Sequence, residues 1–188
     1  SGVHWGLNSL CVILMLRALD VELETALAAL ASFQPLAGRG QLAQVPLGGS
    51  HFTLIDESYN ANPLSMKAGF VSLAAKPVGP GGRRVVVLSD MLELGEHAQA
   101  LHEGLAQPLV ENGVDLVHTA GPQMRLLHEV LPPKLRGLWC ETSAELAERV
   151  HELVAPGDVV MVKGSNGSKA SLVAKALATM GERSGKSV

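Results

Sequence analysis

The chain has 188 residues, 47% of them hydrophobic and 18% charged, with a formal net charge of -3. This is enough apolar material for a packed core, in one domain or in a domain plus a piece of another. The slightly acidic balance, without a long basic run, argues against a protein that wraps nucleic acid, and no apolar run approaches the ~20 residues of a membrane-spanning helix.

Ser1-Gly2-Val3-His4 opens directly into an apolar helical run, without an initiator methionine or the basic start of a signal peptide. A fragment of a longer protein is therefore expected. Residues 3–19 read as a helix. Leu23, Leu27 and Leu30 recur at i, i+4 and i+7, which predicts one buried face of a second helix. Gln34-Pro35-Leu36-Ala37-Gly38-Arg39-Gly40 breaks the pattern and marks a domain boundary. Cys11 and Cys140 lie far apart without CxxC spacing, so a reducing, cytoplasmic setting is expected.

Beyond the boundary, 41–47 and 51–55 read as two strands joined by Gly48-Gly49-Ser50, a hairpin. Strict alternation follows: a helix over 63–76, strand 85–88, and a helix over 97–111 that Pro108 is expected to bend. Strand 115–119, helix 122–131, strand 137–140 and helix 143–154 come next, with Thr142 and Glu145 at capping-box spacing. Strand 159–162 and a helix using Val173, Leu177 and Met180 close the series. Apolar strands without alternation, set between helices, imply a mostly parallel sheet covered on both faces. The expectation is a doubly wound, Rossmann-like α/β domain over 41–181, with a disordered tail over 182–188.

Chemistry gathers where strands end. Asp56-Glu57-Ser58-Tyr59-Asn60-Ala61-Asn62-Pro63 follows the second strand and contains the chain's one tyrosine. Open α/β sheets bind ligands at such ends. Asn62-Pro63 has the form of a helix N-cap with proline at the first helical position. Tyr59, Asn60 and the acidic pair have no such explanation: carboxylates can hold ribose hydroxyls or a metal, and amides can read a polar edge. Ser89-Asp90-Met91-Leu92-Glu93-Leu94-Gly95 puts two further carboxylates at the next strand end. His97 and His102 lie roughly 140° apart on a helix, which disfavours a shared metal. Lys163-Gly164-Ser165 at the last strand end, opening the last helix, has the composition of an anion site. Gly181–Ser187 imitates a phosphate loop but is one residue short of GxxxxGK(S/T) and follows a helix rather than a strand. No such loop and no GxGxxG occurs elsewhere.

Taken in order, these motifs resemble the Mur ligases. His4-Trp5-Gly6-Leu7-Asn8-Ser9-Leu10 is similar to their HNxxNAL element, and Gly38-Arg39 to their interdomain Gly-Arg. Asp56–Pro63, Asp90–Gly95 with His102 downstream, and Val162–Ser165 resemble the branch that adds D-alanyl-D-alanine. Trp5, Ser89 and Asn166 depart from the usual asparagine, glycine and arginine. The resemblance implies part of an ATP-dependent amide ligase of peptidoglycan precursor synthesis, acting on UDP-N-acetylmuramoyl-tripeptide and D-alanyl-D-alanine. In such enzymes ATP with Mg²⁺ phosphorylates the acceptor carboxylate, and the incoming amine attacks the acyl phosphate. Residues 1–40 would be the last helices of a central ATP-binding domain, which holds the phosphate loop and most metal ligands, and 41–181 the C-terminal domain. No metal ligand is assigned to this chain, and no complete catalytic set, so the piece alone is expected to be inactive. By the resemblance Asn8, Arg39, Asp56, Glu57 and Tyr59 would contact nucleotide, with the ribose carboxylate open between Asp56 and Glu57. Asn60, Asn62, Lys163 and Ser165 would line the substrate cleft. Another ligase of the superfamily, of folylpolyglutamate type, or a noncatalytic nucleotide-binding module are the competing readings.

Overall fold

The computed structural model describes residues 3–33 and 36–181. The chain divides into two compact units, Ser1–Leu36 and Ala37–Val188.

In the first unit, helix α1 (Val3–Ala18) is followed by α2 (Leu23–Ala31). α1 ends in a Schellman arrangement: Asp20 takes a left-handed conformation (φ 58), its N–H bonds the Arg17 carbonyl, and the Val21 N–H bonds that of Leu16. Among the described side chains of this unit only Ala26 is buried. Leu23 and Leu27 remain 41% and 49% exposed, so the predicted buried face of α2 is not buried here. Two helices offer no third element to close over their apolar sides.

The second unit carries, among the described residues, one six-stranded sheet. Its strands are β1 (Gln41–Leu47), β2 (Ser50–Glu57), β3 (Arg84–Ser89), β4 (Leu116–Ala120), β5 (Arg136–Cys140) and β6 (Val159–Lys163). The order across the sheet is β1-β2-β6-β3-β4-β5. β1 pairs antiparallel with β2, and all other pairings are parallel. Gly48 and Gly49 both have positive φ, which the tight β1–β2 turn requires. The mostly parallel sheet with an N-terminal hairpin is the predicted architecture.

Helices α3 (Pro63–Ala74), α4 (Ala98–Glu103), α5 (Ala106–Glu111) and α6 (Pro122–Val130) cover one face of the sheet. α7 (Ser143–Glu148) and α8 (Ala170–Ala178) cover the other. Alternate strand residues divide accordingly: Val86, Leu88 and Met161 pack with Phe70, Leu109 and Leu127, while Val85, Val87 and Val162 pack with Leu146, Val173 and Leu177. Both faces of the central strands are thus buried, which is why they show no polar alternation. Late in the chain, β6 enters between β2 and β3 and leads to α8 on the opposite face from the helix that follows β3. The crevice beyond these strand ends is the topological switch point.

Three expected helices differ in detail. Residues 97–111 form a 3₁₀ turn (Gly95–His97), α4 and α5, and the break falls at Gly104 rather than at Pro108. Pro108 has no N–H for the Gly104 carbonyl four residues earlier and its ring crowds that carbonyl, so continuity fails one turn upstream. The helix predicted over 143–154 stops at Glu148 and continues as a 3₁₀ turn over Val150–Glu152, because Arg149 leaves helical dihedrals (φ -105, ψ 19). The last helix begins at Ala170, not beside Gly164: Ser165 precedes only a 3₁₀ turn (Asn166–Ser168) and does not cap it with its side chain, and Lys169, left-handed at φ 58, precedes α8. Residues 182–188, where a tail was expected, lie outside the described residues, as does most of the Gly181–Ser187 imitation of a phosphate loop.

Candidate functional site

β2 runs two residues beyond its predicted end, so Asp56 and Glu57 are strand residues that point to opposite faces. The Ser58 N–H and hydroxyl both donate to Asp56 Oδ1, at 3.0 and 2.6 Å. This Asx turn bends the chain away from the sheet. Glu57 lies beside Lys163 in the parallel β2–β6 register. The Lys163 ammonium donates to Glu57 Oε2 at 3.0 Å and to the Asn60 carbonyl at 3.2 Å. With its side chain only 6% exposed, Lys163 is a buried strut that ties the 58–62 loop to β6.

Within that loop, Asn60 Oδ1 accepts the Ala61 N–H (2.9 Å). Asn62 Oδ1 accepts the Ser65 N–H (2.8 Å), and the Ser65 hydroxyl accepts the Asn62 N–H (3.0 Å). This reciprocal box, with Pro63 at the first helical position, starts α3. At Thr142 the hydroxyl accepts the Glu145 N–H as expected, but the Glu145 carboxylate turns onto that hydroxyl instead of completing the box. Tyr59 is 46% exposed, and the Arg39 guanidinium carbon lies 4.0 Å from its ring centroid. The Tyr59 N–H bonds the Gly38 carbonyl (3.0 Å), and Gly38, at φ +76, approaches the Tyr59 backbone so closely that a Cβ would lie 2.9 Å from its nitrogen. Only glycine fits there.

The second acidic strand end is largely structural. Asp90 is buried, and its carboxylate accepts N–H groups of Met124 (2.8 Å) and Gln123 (3.4 Å) at the start of α6. Burial pushes its carboxyl up from the ordinary value, and those two N–H groups pull it part of the way back. His102 is fully buried: its Nε2 accepts the Met91 N–H at 3.0 Å, so Nδ1 carries the proton toward the Ala98 carbonyl. His97 is exposed and pairs with Glu96. Ser165 is also buried. Its hydroxyl accepts the Leu92 N–H (2.9 Å) and donates to the Ala61 carbonyl (3.4 Å), linking the loops after β2 and β3 through the one after β6. Below it, the Ser168 hydroxyl donates to the Ser165 carbonyl (2.6 Å) and stands 2.7 Å from Ser89 Oγ. Ser89 fills the space that a side chain on Gly164 would need.

These three loops enclose a half-open cavity of about 330 Å³, lined by Asn60, Ala61, Asn62, Leu92, Glu93, Leu94, Ser165, Asn166 and Gly167. Of the residues expected around a substrate cleft, Asn60, Asn62 and Ser165 line it, while Lys163 is held beneath it. Arg39, Tyr59, Asp56 and Glu57 do not line it. Asn8 is exposed on α1 in the first unit. Leu92, Glu93, Leu94 and Gly167 were not expected there as individual residues. The acidic stretch Asp90–Gly95 was the signal for the first three, and nothing in the sequence singled out Gly167. Among the described residues no group of three or more His, Cys, Asp or Glu could hold a metal ion, and no helix is long and apolar enough to cross a membrane. Cys11 is exposed, Cys140 buried, and both are free.

Residues 38–166 match the family model described as Mur ligase, glutamate ligase domain. The chain belongs to the Mur ligase family. The matched segment of this Mur ligase domain begins at Gly38, ends at Asn166 and contains every expected site residue except Asn8. Curated relatives include the UDP-N-acetylmuramoyl-tripeptide–D-alanyl-D-alanine ligases of Mycobacterium tuberculosis and Rickettsia prowazekii. The first is 33% identical over 94% of this chain and 38% of the relative, the second 29% identical over 88% and 35%. Thus the chain spans little more than a third of the curated relatives it matches. Among solved structures, MurF from Acinetobacter baumannii superposes with a TM-score of 0.78 at 26% identity, over 94% of this chain and 38% of that one. The MurF ligase of Thermotoga maritima, solved in complex with ADP, shares the fold at a TM-score of 0.71 and 24% identity, over 92% and 37%.

Proposed function

We propose that this chain provides the amine-substrate half of an ATP-dependent amide ligase that adds D-alanyl-D-alanine to UDP-N-acetylmuramoyl-tripeptide in peptidoglycan precursor synthesis. The observation that carries the reading is the amide-lined cavity at the topological switch point, inside the segment that matches the Mur ligase domain. The ligases named among the relatives support the choice of substrates. On this reading residues 1–40 belong with a central ATP-binding domain, 41–181 form the C-terminal ligase domain, and 182–188 are a tail. The setting is cytoplasmic, in keeping with two free cysteines.

The described residues fit a nucleotide in part, and no group of three or more His, Cys, Asp or Glu among them is placed to hold a metal ion. Arg39 and Tyr59 present an exposed cation and aromatic face, and Asp56 has Oδ2 left over once Oδ1 is taken by Ser58. Glu57 is committed to Lys163, so Asp56 is the better ribose ligand of the two. Asn8 would add a contact from α1. Bound ATP with Mg²⁺ would supply activation of the acceptor carboxylate. This chain's own residues hold the amine substrate: Asn60 and Asn62 line its cleft, and Lys163 and Ser165 keep the cleft walls together. Closure against the ATP-binding part would bring the two substrates into reach.

The test is a chimera in which this chain replaces the matching segment of Acinetobacter baumannii MurF. Phosphate release that depends on D-alanyl-D-alanine is expected from the chimera and not from the chain alone. A folded, nucleotide-binding chimera that fails to ligate, or ligation by the chain alone, would overturn the reading.

A further inference from the structure

The cavity has a chemical polarity that goes beyond its position. Asn60 and Asn62 each turn the side-chain oxygen onto a backbone N–H. Each leaves its NH₂ group, a donor, without a partner among the described residues. Asn62 also caps α3, a twelve-residue helix whose positive end therefore lies on the same side. Glu93, from the loop after β3, is the one charged residue of the lining. It is exposed and makes no hydrogen bond or ion pair among the described residues. Its backbone is held at φ 63, a left-handed conformation that is unfavourable for a non-glycine residue.

No cation lines the cavity, because Lys163 is buried on Glu57. A phosphate or a dicarboxylate would meet an unopposed carboxylate and only neutral donors. A zwitterion meets complementary groups: NH₂ donors and a helix N-terminus for its carboxylate, and a carboxylate for its ammonium. Ala61, Leu92 and Leu94 leave apolar wall for small side chains, and about 330 Å³ accommodates a dipeptide. Resting on the reading above, we propose that Glu93 recognises the free ammonium of the amine substrate while the NH₂ groups of Asn60 and Asn62 hold its carboxylate. Glu93 thereby selects substrates with an unblocked amino group and fixes which end enters first.

The test titrates the 188-residue chain, followed by NMR, with D-alanyl-D-alanine, its N-acetyl derivative, its C-terminal amide and L-glutamate. D-alanyl-D-alanine should bind about tenfold or more tightly than either blocked form, the difference expected of one charge-assisted hydrogen bond. Glu93→Gln should bring it down to the level of the N-acetyl derivative and leave that derivative unchanged. Asn60→Asp keeps the acceptor for the Ala61 N–H but removes the donor, so it should weaken D-alanyl-D-alanine and its N-acetyl form and spare the C-terminal amide. Circular dichroism of both variants should match the parent. Equal binding by Glu93→Gln, equal binding of the N-acetyl form, or no saturable binding of D-alanyl-D-alanine or glutamate would overturn the proposal. Glu93-dependent binding of glutamate alone would uphold the role of Glu93 and remove D-alanyl-D-alanine. A chimera that ligates D-alanyl-D-alanine regardless of Glu93 would do the reverse.

Discussion

The Lys163 ammonium sits 3.0 Å from Glu57 Oε2, although 106 residues separate the two in sequence. The pair is mostly withdrawn from water, at 6% and 23% side-chain exposure. Removing one member leaves the other buried without its counter-charge. Lys163→Met should therefore lower stability by about 3 kcal/mol in urea denaturation. The double variant Lys163→Met with Glu57→Leu should recover most of that loss. A single variant as stable as the parent would mean that the pair does not hold the loop.

Asn62 has a simpler role in stability. Asn62→Ala removes the side-chain acceptor for the Ser65 N–H and should cost about 1 kcal/mol. Asn62→Asp retains that acceptor at the favourable end of the helix dipole and should unfold at a denaturant concentration no lower than the parent. Equal losses in the two variants would exclude the cap as the cause.

What could be read from the sequence was local. Val85–Leu88 and Val159–Val162 announced strands buried on both faces, because each residue along them meets a core. Asn62-Pro63 announced a helix start through residue types that satisfy its free N–H groups. The partner of Lys163 could not be read in the same way. It depends on β6 entering between β2 and β3, a choice that no local period encodes. Lys163 in isolation therefore suggested an anion site, whereas its ammonium faces Glu57 and Asn60, and the hydroxyl of Ser165, in the cavity wall, is bonded to Leu92 and Ala61. Glu93 was visible only as part of an acidic stretch. What separates it from Asp90 is that Asp90 caps α6 and Glu93 caps nothing.

Ser165 should act through the loop it holds. Ser165→Ala leaves the Leu92 N–H without its acceptor and releases Ala61, for a stability loss of about 1–2 kcal/mol. Hydrogen exchange gives the more specific readout: the Leu92 amide should lose protection by about tenfold while amides in β3 and β6 stay as protected as before. Unchanged exchange at Leu92 would remove the hydroxyl as the link between these loops.

His118 should make the fold sensitive to acid. It is 2% exposed, its Nδ1 accepts the Leu138 N–H at 2.9 Å, and Nε2 therefore carries the proton toward the Leu153 carbonyl, 3.2 Å away. Burial lowers its pKa from 6.5 to about 4, the Leu153 carbonyl opposes that shift, and the Arg83 charge adds to it. Between these two values the unfolded chain binds a proton that the folded one refuses, so stability rises with pH across the window. The contribution is complete above pH 6.5 and lost as pH falls toward 4, by an amount on the order of 3 kcal/mol. Asp90, with its raised pKa, acts in the opposite sense, since its folded form holds a proton more tightly than the unfolded one. Comparing the parent with His118→Asn isolates the histidine: urea midpoints of the parent should fall steeply from pH 6.5 to 4, and those of the variant should fall less. Parallel curves would show that His118 is not the group that titrates.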